Sequence, residues 1–468
     1  MNRVDRINGR NVGLIGMARS GVSGAELVQI LGGIPFVSDV LPENSLGEAI
    51  ARLEKYHIEF ECGGHSDRLL ECDYLILSPG VPGTLDIIQK AQKAGIPIFS
   101  EIELAYWVCR GRILAVTGSN GKTTTTALLG EICRASQYPT EVGGNIGTPF
   151  SEIARKVPED GLAVLEVSSF QLERIEQFTP HVGLLLNLTP DHLDRYGRFD
   201  DYCAAKYRLF ENQSSENFAV LNADDLETAK RDFPYKSRKL HFTLSEGVFT
   251  SRPSEGVFLR GETLSGRLDN KFIDLIDINR LAIKGRHNQS NAAAAAAAAL
   301  ACGIEVNTIA AVLERFRGVE HRLEEVSVIG GVRFINDSKG TNVDAVMVAL
   351  QAVPGRVHLI AGGRDKGGDF TRLLPLAKGK VQNLILLGEA RNKIFEQLGR
   401  QIPVVMADSM SEAVQKAYEL ARPGDTVLLS PGCASFDMYR NFEERGRDFK
   451  ELVRRLKNGK GSGTTIDA

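Results

Sequence analysis

The sequence of 468 residues lacks a cysteine framework and a membrane segment. Its seven cysteines are odd in number, scattered and free of CxxC spacing. This distribution excludes the usual disulfide scaffolds and zinc sites and is typical of a reducing compartment. The N-terminus has no apolar signal core, and the longest apolar run, residues 292–302, is too short and too rich in alanine to span a bilayer. We therefore expect a cytoplasmic protein without membrane insertion.

The sequence also lacks an excess of charge of either sign. It contains 56 Lys and Arg against 59 Asp and Glu, which gives a formal net charge of −3. A general nucleic-acid-binding protein needs a basic surface, so we expect no nucleic-acid partner. The length predicts two to four domains, each with its own hydrophobic core.

The most informative motif lies at residues 113–126, ILAVTGSNGKTTTT. A short apolar strand is followed by a loop with Gly118 and Gly121 and then by a helix. Glycines let the backbone approach an anion, and the helix N-terminus adds partial positive charge. Lys122 supplies a full charge for terminal phosphates, and the Thr123 hydroxyl can bind magnesium. The order predicts a phosphate-binding loop, although Val116 stands where the general P-loop pattern has glycine. The alternative is a glycine-rich turn before a structural helix.

The first hundred residues contain a second glycine turn of a different kind. A strand at residues 11–15 runs into Gly16, Ala18 and Gly21, and the next strand ends at Asp39. This arrangement is typical of a dinucleotide-binding turn followed by an acidic residue for ribose hydroxyls. Close packing of a helix on a strand explains the same glycines, so both interpretations stay open. A nucleotide bound here would not be the energy source.

Two polar side chains follow apolar strands in the central part of the chain. Glu166 lies near the end of the strand at 162–167, and His192 follows the strand at 182–188. The carboxyl ends of parallel strands share one sheet edge, so we expect both side chains near the nucleotide phosphates, where they suit magnesium. The alternatives are a solvent-facing residue at a strand end for Glu166 and a loop-capping histidine for His192.

Two further groups are ambiguous from the residues alone. Lys206 lies in a helical segment, where its surroundings favour an ordinary solvated lysine. His287, Asn288 and Asn291 precede or begin a long alanine helix, where polar residues act either as caps or as nucleotide ligands.

The last third of the sequence repeats strands followed by loops rich in glycine, lysine and hydroxyl residues. These loops lie at residues 336–342, 362–367 and 430–437. Such loops suit a small ligand with carboxylate groups. Cys433 lies in the last loop, but no histidine is near it in sequence, so we expect an inert thiol.

The alternation of strands and helices predicts an α/β protein of three domains. We expect a Rossmann-like domain at 1–100, a central P-loop-type ATPase domain with a parallel sheet at 101–318, and a C-terminal Rossmann-like α/β domain at 319–468.

Several motifs together resemble those of the Mur ligases, the ATP-dependent amino-acid ligases of peptidoglycan synthesis. The resemblance covers residues 10–455, and its motifs are TGSNGKTTTT, LEVSSFQL, NLTPDHLDRY, GRHNQSN, HRLE, NDSKGTN, GGRDKGGDF and LSPGCASFDMYRNFEERGRDF. NDSKGTN and the last block are the most typical of the members that add D-glutamate. The resemblance implies that ATP phosphorylates the L-alanine carboxylate of UDP-N-acetylmuramoyl-L-alanine, and that the amine of D-glutamate then attacks the acyl phosphate. It further implies magnesium, as two ions, and we expect a monomer.

The resemblance also implies roles for individual residues, with the catalytic positions at Lys122, Glu166, His192 and Lys206. ATP contacts would come from Gly118, Ser119, Asn120, Gly121, Lys122, Thr123, Thr124, Asn291, Arg322 and Asp337. UDP-sugar contacts would come from Ser20, Asp39, Gly80 and Asn145. D-glutamate contacts would come from Lys339, Thr341, Lys366, Ser435 and Phe442. One magnesium would be held by Thr123 and Glu166, and the second by His192 and Lys206. In this family the lysine that matches Lys206 is carbamylated, which reverses the interpretation from its surroundings alone.

Other functions explain less of the sequence. A folylpolyglutamate synthetase-like ligase shares the central and third domains but usually lacks a Rossmann-like first domain. A nucleotide-switched binding protein would not need three further anion-binding loops. A dehydrogenase would depend only on Gly16, Ala18 and Gly21 and leaves Lys122 unexplained.

Overall fold

The computed structural model describes residues 3–245, 255–269 and 271–461. The chain divides into two compact units. The first unit contains Met1–Leu188, Asp200–Ile283 and Asn288–Phe316, and the second contains Thr189–Phe199, Lys284–His287 and Arg317–Ala468. Three separate sheets with flanking helices confirm the predicted three-domain α/β class, whereas the exact domain boundaries stay a prediction.

The N-terminal sheet has five parallel strands in the order β3-β2-β1-β4-β5, and the chain returns between them through helices and loops. Its strands are β1 (Asn11–Ile15), β2 (Ile34–Ser38), β3 (Glu59–Glu61), β4 (Tyr74–Leu77) and β5 (Ile98–Ser100). Its helices are α1 (Arg19–Ile30), α2 (Gly47–Lys55), α3 (Asp86–Lys93) and α4 (Glu101–Tyr106).

The central sheet has nine strands in the order β14-β13-β12-β11-β10-β9-β6-β8-β7. Its strands are β6 (Arg112–Thr117), β7 (Thr140–Gly144), β8 (Leu162–Glu166), β9 (Val182–Leu185), β10 (Phe218–Asn222), β11 (Arg238–Thr243), β12 (Gly256–Arg260), β13 (Thr263–Leu268) and β14 (Lys271–Asp277). The prediction of a parallel sheet holds from β7 to β12, but β13 and β14 pair antiparallel. The difference arises because two short loops join β12, β13 and β14, and only antiparallel strands can be joined so closely.

The helices of this part of the chain are α5 (Lys122–Arg134), α6 (Phe150–Ile153), α7 (Ser169–Leu172), α8 (Leu193–Tyr196), α9 (Phe199–Tyr207), α10 (Leu226–Lys230), α11 (Arg286–Ala301) and α12 (Val306–Arg315). Helix α11 buries Ala292–Ala299 completely, since small side chains on all its faces allow close packing. The helix begins at Arg286, so His287, Asn288 and Asn291 lie within its first turns rather than before it.

The third sheet, in the second unit, has six strands in the order β15-β16-β20-β17-β18-β19. Its strands are β15 (Glu324–Ile329), β16 (Val332–Asn336), β17 (Val357–Gly362), β18 (Val381–Leu387), β19 (Val404–Met406) and β20 (Thr426–Leu429). Its helices are α13 (Val343–Ala352), α14 (Leu374–Ala377), α15 (Arg391–Leu398), α16 (Met410–Leu420) and α17 (Phe442–Gly461). Only β15 is antiparallel to its neighbour. Within the described residues, no helix is both long and apolar enough to cross a lipid bilayer.

Candidate active site

The loop between β6 and α5 has the geometry expected of a phosphate-binding loop. Gly118 and Gly121 adopt φ angles of +148° and +85°, which favour glycine. A Cβ atom at Gly121 would also lie 2.5 Å from Oδ1 of Asn291. Gly121 therefore brings the loop close to helix α11, and this places Asn291, a predicted ATP contact, beside the loop.

Asn187 holds the loop in place from the segment that follows β9. Its side chain accepts from the Asn120 backbone N–H at 2.8 Å and donates to the Asn120 carbonyl at 3.0 Å. The Ser119 hydroxyl lies 3.0 Å from the phenol of Tyr202 on α9. Ser119 and Asn120 are therefore held by partners distant in sequence, while Thr124 is buried at the start of α5.

Thr123, Glu166 and Asn145 form one hydrogen-bonded group beside the loop. Thr123 Oγ1 donates to one oxygen of Glu166 at 2.7 Å, and Asn145 Nδ2 donates to the other at 3.0 Å. Glu166 is only 2% exposed, so the alternative of a solvent-facing residue is wrong. Oxygen atoms from a hydroxyl and a carboxylate at a phosphate loop fit magnesium, which prefers such ligands together with phosphate oxygens.

Two lysines donate to the backbone of the same loop. Lys122 Nζ lies 2.7 Å from the Gly118 carbonyl and 2.8 Å from the Ser119 carbonyl. Lys206 Nζ lies 3.0 Å from the Gly118 carbonyl and over the ring of Tyr202. Lys206 is 1% exposed, so the interpretation as a solvated lysine is wrong. As an ammonium group it donates to the loop and cannot bind a metal ion; a carbamate at the same position could.

The predicted UDP-sugar residues divide between two places in the first unit. Asp39 accepts from the backbone N–H groups of Met17 and Leu41 at 2.6 and 2.8 Å. Ser20 lies in the first turn of α1, and Gly80 is exposed after β4. Asn145 instead contacts Glu166. The structure thus groups Asn145 with the predicted magnesium ligands, which sequence spacing did not indicate.

The glycine turn after β1 allows close packing. A Cβ atom at Gly21 would collide with the carbonyl oxygen of Gly16, so only glycine fits at this position in the first turn of α1. Arg19 donates to the Gly147 carbonyl at 3.0 Å. This contact joins the turn to the loop that carries Asn145.

In the second unit, Asp337 and Arg322 form a buried pair. Arg322 Nη1 lies 3.2 Å from Asp337 Oδ1, and Ser430 Oγ donates to the other oxygen at 2.8 Å. Burial raises the pKa of Asp337, and the guanidinium of Arg322 opposes that shift. Of the five N–H donors of the Arg322 guanidinium, this carboxylate engages one nitrogen.

The second unit also brings together the residues predicted to bind D-glutamate; we call Lys339, Thr341, Lys366, Ser435 and Phe442 the amino-acid region. Lys339 Nζ lies 4.4 Å from the centre of the Phe442 ring. Thr341 donates its backbone N–H to the Lys339 carbonyl at 2.9 Å. Ser435 is 3% exposed at the start of the turn that leads to Phe442.

Arg445 is a residue that the sequence did not single out. Its guanidinium donates to Ser338 Oγ at 3.0 Å, to the Ser338 carbonyl at 2.8 Å, and to the carbonyls of Cys433 and Ala434 at 3.2 and 3.3 Å. Among the described residues no carboxylate forms an ion pair with it. Burial lowers the pKa of Arg445 to about 10. It fastens the loop before Lys339 to the loop that contains Ser435. The only sequence signal was its place in the block that ends GRDF.

His321 holds the backbone of the amino-acid region at Lys339. Its ring packs so closely on Gly446 of α17 that a Cβ atom there would collide with Nδ1. Its backbone carbonyl accepts from the Lys339 N–H at 3.1 Å. Glu320, His321 and Glu324 could together hold a metal ion, but Lys450 Nζ already pairs with both glutamates. Lys450 therefore already occupies the position between the two carboxylates where a cation would bind.

His192 belongs to the second unit, so its predicted convergence with Glu166 stays a prediction. It adopts a left-handed φ of 54° before α8. Its Nε2 atom lies 3.7 Å from the carboxylate of Asp191, and its ring is 30% exposed. Cys433 is fully buried, and burial raises the pKa of its thiol to about 12. This supports the interpretation of Cys433 as inert.

Three family profiles match the chain. They are described as MurD N-terminal domain at residues 11–86, Mur ligase middle domain at 116–299, and Mur ligase, glutamate ligase domain at 321–433. A UDP-N-acetylmuramoylalanine–D-glutamate ligase from Alkaliphilus metalliredigens is 43% identical over 456 residues, which cover 96% of this chain and 99% of that protein. The chain belongs to the Mur ligase family.

Another Mur ligase of the same description, from Salinibacter ruber, is 42% identical over 97% of this chain and 99% of its own length. The solved structure of UDP-N-acetylmuramate–alanine ligase from Thermotoga maritima superimposes with a TM-score of 0.59 at 20% identity, covering 96% and 100% of the two chains. At that identity the likeness concerns the Mur ligase fold alone, and it agrees with the three sheets and their flanking helices described above.

Proposed function

We propose that this Mur ligase joins D-glutamate to UDP-N-acetylmuramoyl-L-alanine with ATP, forming an acyl phosphate on the way to the amide. The similarity over nearly the whole chain to relatives named for that reaction supports the substrates. The observation that carries the chemistry is the group of Thr123, Glu166 and Asn145 at the phosphate loop. This group can hold oxygen-bound magnesium where the terminal phosphates of ATP would lie.

In the first unit, the residues of the phosphate loop would position ATP and neutralise its charge. The backbone N–H groups from Gly118 to Thr124 would bind the phosphates, and Lys122 would leave its two carbonyl partners to follow the transferred phosphoryl group. Thr123 and Glu166 would hold magnesium, which would offset the negative charge that develops during transfer. Positioning and charge neutralisation account for most of catalysis in phosphoryl transfer.

In the second unit, the amino-acid region would bind D-glutamate. Lys339 and Lys366 supply cations for its carboxylates, and Thr341 and Ser435 supply hydroxyl groups. Arg322 and Asp337 are proposed to contact ATP, as is Asn291 in the first unit.

Several assignments rest on the resemblance alone and remain proposals. They are carbamylation of Lys206, a second magnesium at His192 and Lys206, the UDP-sugar contacts at Ser20, Asp39, Gly80 and Asn145, and the monomeric state. Burial of Lys206 beside the loop supports the first of them.

A coupled assay tests the function. Purified protein is given UDP-N-acetylmuramoyl-L-alanine, magnesium, ATP and D-glutamate, and mass spectrometry follows the new amide while phosphate release is recorded. We expect product and phosphate only when all substrates are present, and little product with L-glutamate. Phosphate release that needs neither the nucleotide-sugar nor the amino acid would instead indicate an ATPase or a nucleotide switch.

A further inference from the structure

We propose that Asp191 binds the α-ammonium group of the incoming amino acid, beside Lys366, which binds one of its carboxylates. This inference rests on the proposed function, because it names a further contact within the amino-acid region. Neither the sequence motifs nor their spacing assigned a role to Asp191, which precedes the predicted magnesium ligand His192.

Asp191 and Lys366 form a largely buried ion pair within the second unit. Lys366 Nζ lies 3.2 Å from Asp191 Oδ1, and the two side chains are 19% and 8% exposed respectively. A lysine proposed for a substrate carboxylate is thus already engaged by a carboxylate of the protein. A ligand that forms an ion pair with Lys366 must therefore also pair with Asp191. Otherwise the Asp191 carboxylate stays buried with its charge uncompensated.

Asn342 fixes the position of the second oxygen of Asp191. Asn342 Oδ1 accepts from the Ala345 backbone N–H at 2.8 Å as the N-cap of α13, so its Nδ2 must point the other way. That Nδ2 donates to Asp191 Oδ2 at 3.0 Å. The amide orientation is therefore determined by the helix cap, and Asp191 is an acceptor at a fixed place next to Thr341.

The backbone around Asp191 is also held. The His192 N–H donates to Asp191 Oδ1 at 3.0 Å, and His192 has a left-handed φ of 54°. Such a conformation is uncommon for residues other than glycine and persists where its surroundings determine it. The charged and titratable groups next to the Asp191 carboxylate include Lys366 and His192.

An α-amino acid is a zwitterion, and an adjacent lysine and aspartate match its two charges. When the amino acid binds, its carboxylate pairs with Lys366 and its ammonium group pairs with Asp191. Two ion pairs with the ligand then replace the single ion pair within the protein, so no buried charge loses its partner. A dicarboxylate without an amino group would satisfy only Lys366. The pair therefore selects for amino acids, since a site built for a polar group rejects an analogue that lacks it.

The decisive variant is Asp191→Asn, which keeps shape and removes charge. We expect the KM for D-glutamate to rise about tenfold or more while the KM for ATP changes less than twofold. Glutarate, which resembles glutamate without the amino group, should inhibit the variant as well as or better than the wild type. Asp191→Glu should retain the preference for the amino acid. The control is Asp344→Asn, since Asp344 on α13 is a similarly buried carboxylate that pairs with Arg372.

Hydroxylamine separates this inference from the proposed function. It is an uncharged amine at neutral pH and converts an acyl phosphate to a hydroxamate without an ammonium site. Asp191→Asn should retain hydroxamate formation far better than ligation of D-glutamate. Equal losses of hydroxamate and of ligation, or equal weakening of glutarate and D-glutamate, would overturn the role of Asp191. Wild-type protein that forms neither amide nor hydroxamate would refute the proposed function itself.

Discussion

The phosphate loop and the amino-acid region differ in how many segments of the chain build them. The loop and its lysine come from one continuous strand, turn and helix between Arg112 and Arg134. The amino-acid region takes four residues from loops that follow strands and the fifth, Phe442, from the start of α17, and Arg445 and His321 hold these segments together. A continuous motif can be recognised directly in the sequence, whereas a dispersed site can be assembled only once the surrounding fold is known.

This difference predicts that a single change at the loop removes chemistry without loosening the fold. Lys122→Ala should lower kcat by a hundredfold or more, about 3 kcal/mol or more of transition-state stabilisation, because a charge at the transferred phosphoryl is lost. Steady-state kinetics check kcat, and circular dichroism in urea checks stability, which should stay near that of the wild type. Lys156→Ala, at an exposed lysine of the first unit, is the control. A variant with near-normal kcat would contradict the role of Lys122.

The opposite outcome is expected for the residue that joins the loops of the amino-acid region. Arg445→Met should lower the free energy of unfolding by about 3 kcal/mol, because the carbonyls of Ser338 and Cys433 and the Ser338 hydroxyl lose the guanidinium as their donor. The KM for D-glutamate should rise more than that for ATP. Urea unfolding and initial-rate kinetics measure the two effects.

The control for this variant is Arg440→Met, which removes an exposed arginine just before α17. Arg445→Lys should recover part of the stability, since an ammonium can reach some of the same acceptors. Full stability in Arg445→Met would show that the loops hold their shape without this residue, and the contrast between the two regions would then fail.

The difference between the continuous phosphate loop and the dispersed amino-acid region also explains which contacts the sequence could predict. The sequence predicted that Glu166 lies near the phosphate loop, and its hydrogen bond with Thr123 agrees with this, because the parallel strands β6 and β8 end side by side. The contacts of Arg445 and Asp191 could not be predicted, since they depend on turns and on the left-handed backbone at His192. The three-domain class was predicted from the alternation of strands and helices, but the antiparallel β13 and β14 were not.

Lys206 was predicted wrongly from its local sequence, although it lies beside the phosphate loop, which the sequence predicted. Helix α9 has no clear polar face, so its sequence does not indicate which residues are buried. The burial of Lys206 depends on the Gly118 carbonyl, 88 residues earlier in the chain, and on Tyr202 one turn before it. Only the family resemblance gave this lysine a role, and its carbamylation stays a prediction.

A variant of Lys206 tests whether this lysine acts as a carbamate beside the phosphate loop. Lys206→Ala should lower kcat about tenfold to a hundredfold, as expected when support for a metal ion is lost. Acetate added to the assay should restore part of the activity, because a carboxylate can replace the carbamate oxygens. Methylamine at the same concentration is the control. Rescue by the amine instead of acetate would show that Lys206 acts as an ammonium group.

The smallest effect is expected from His287, a half-buried histidine of the second unit. Burial and the charge of Arg322 lower the pKa of His287 from 6.5 to about 4, and its Nε2 has no hydrogen-bond partner among the described residues. The folded protein then binds fewer protons than the unfolded chain between pH 4 and 6.5, so stability falls as the pH drops through this window. Between pH 7 and 6 the loss of stability from this group is roughly 0.7 kcal/mol.

Urea unfolding at both pH values should show that His287→Gln reduces this loss by that amount. The control is His57→Asn, which should leave the loss unchanged. His57 is exposed and has a positive φ, which asparagine tolerates. An unchanged pH dependence in His287→Gln would mean that the acid sensitivity of the second unit comes from other groups.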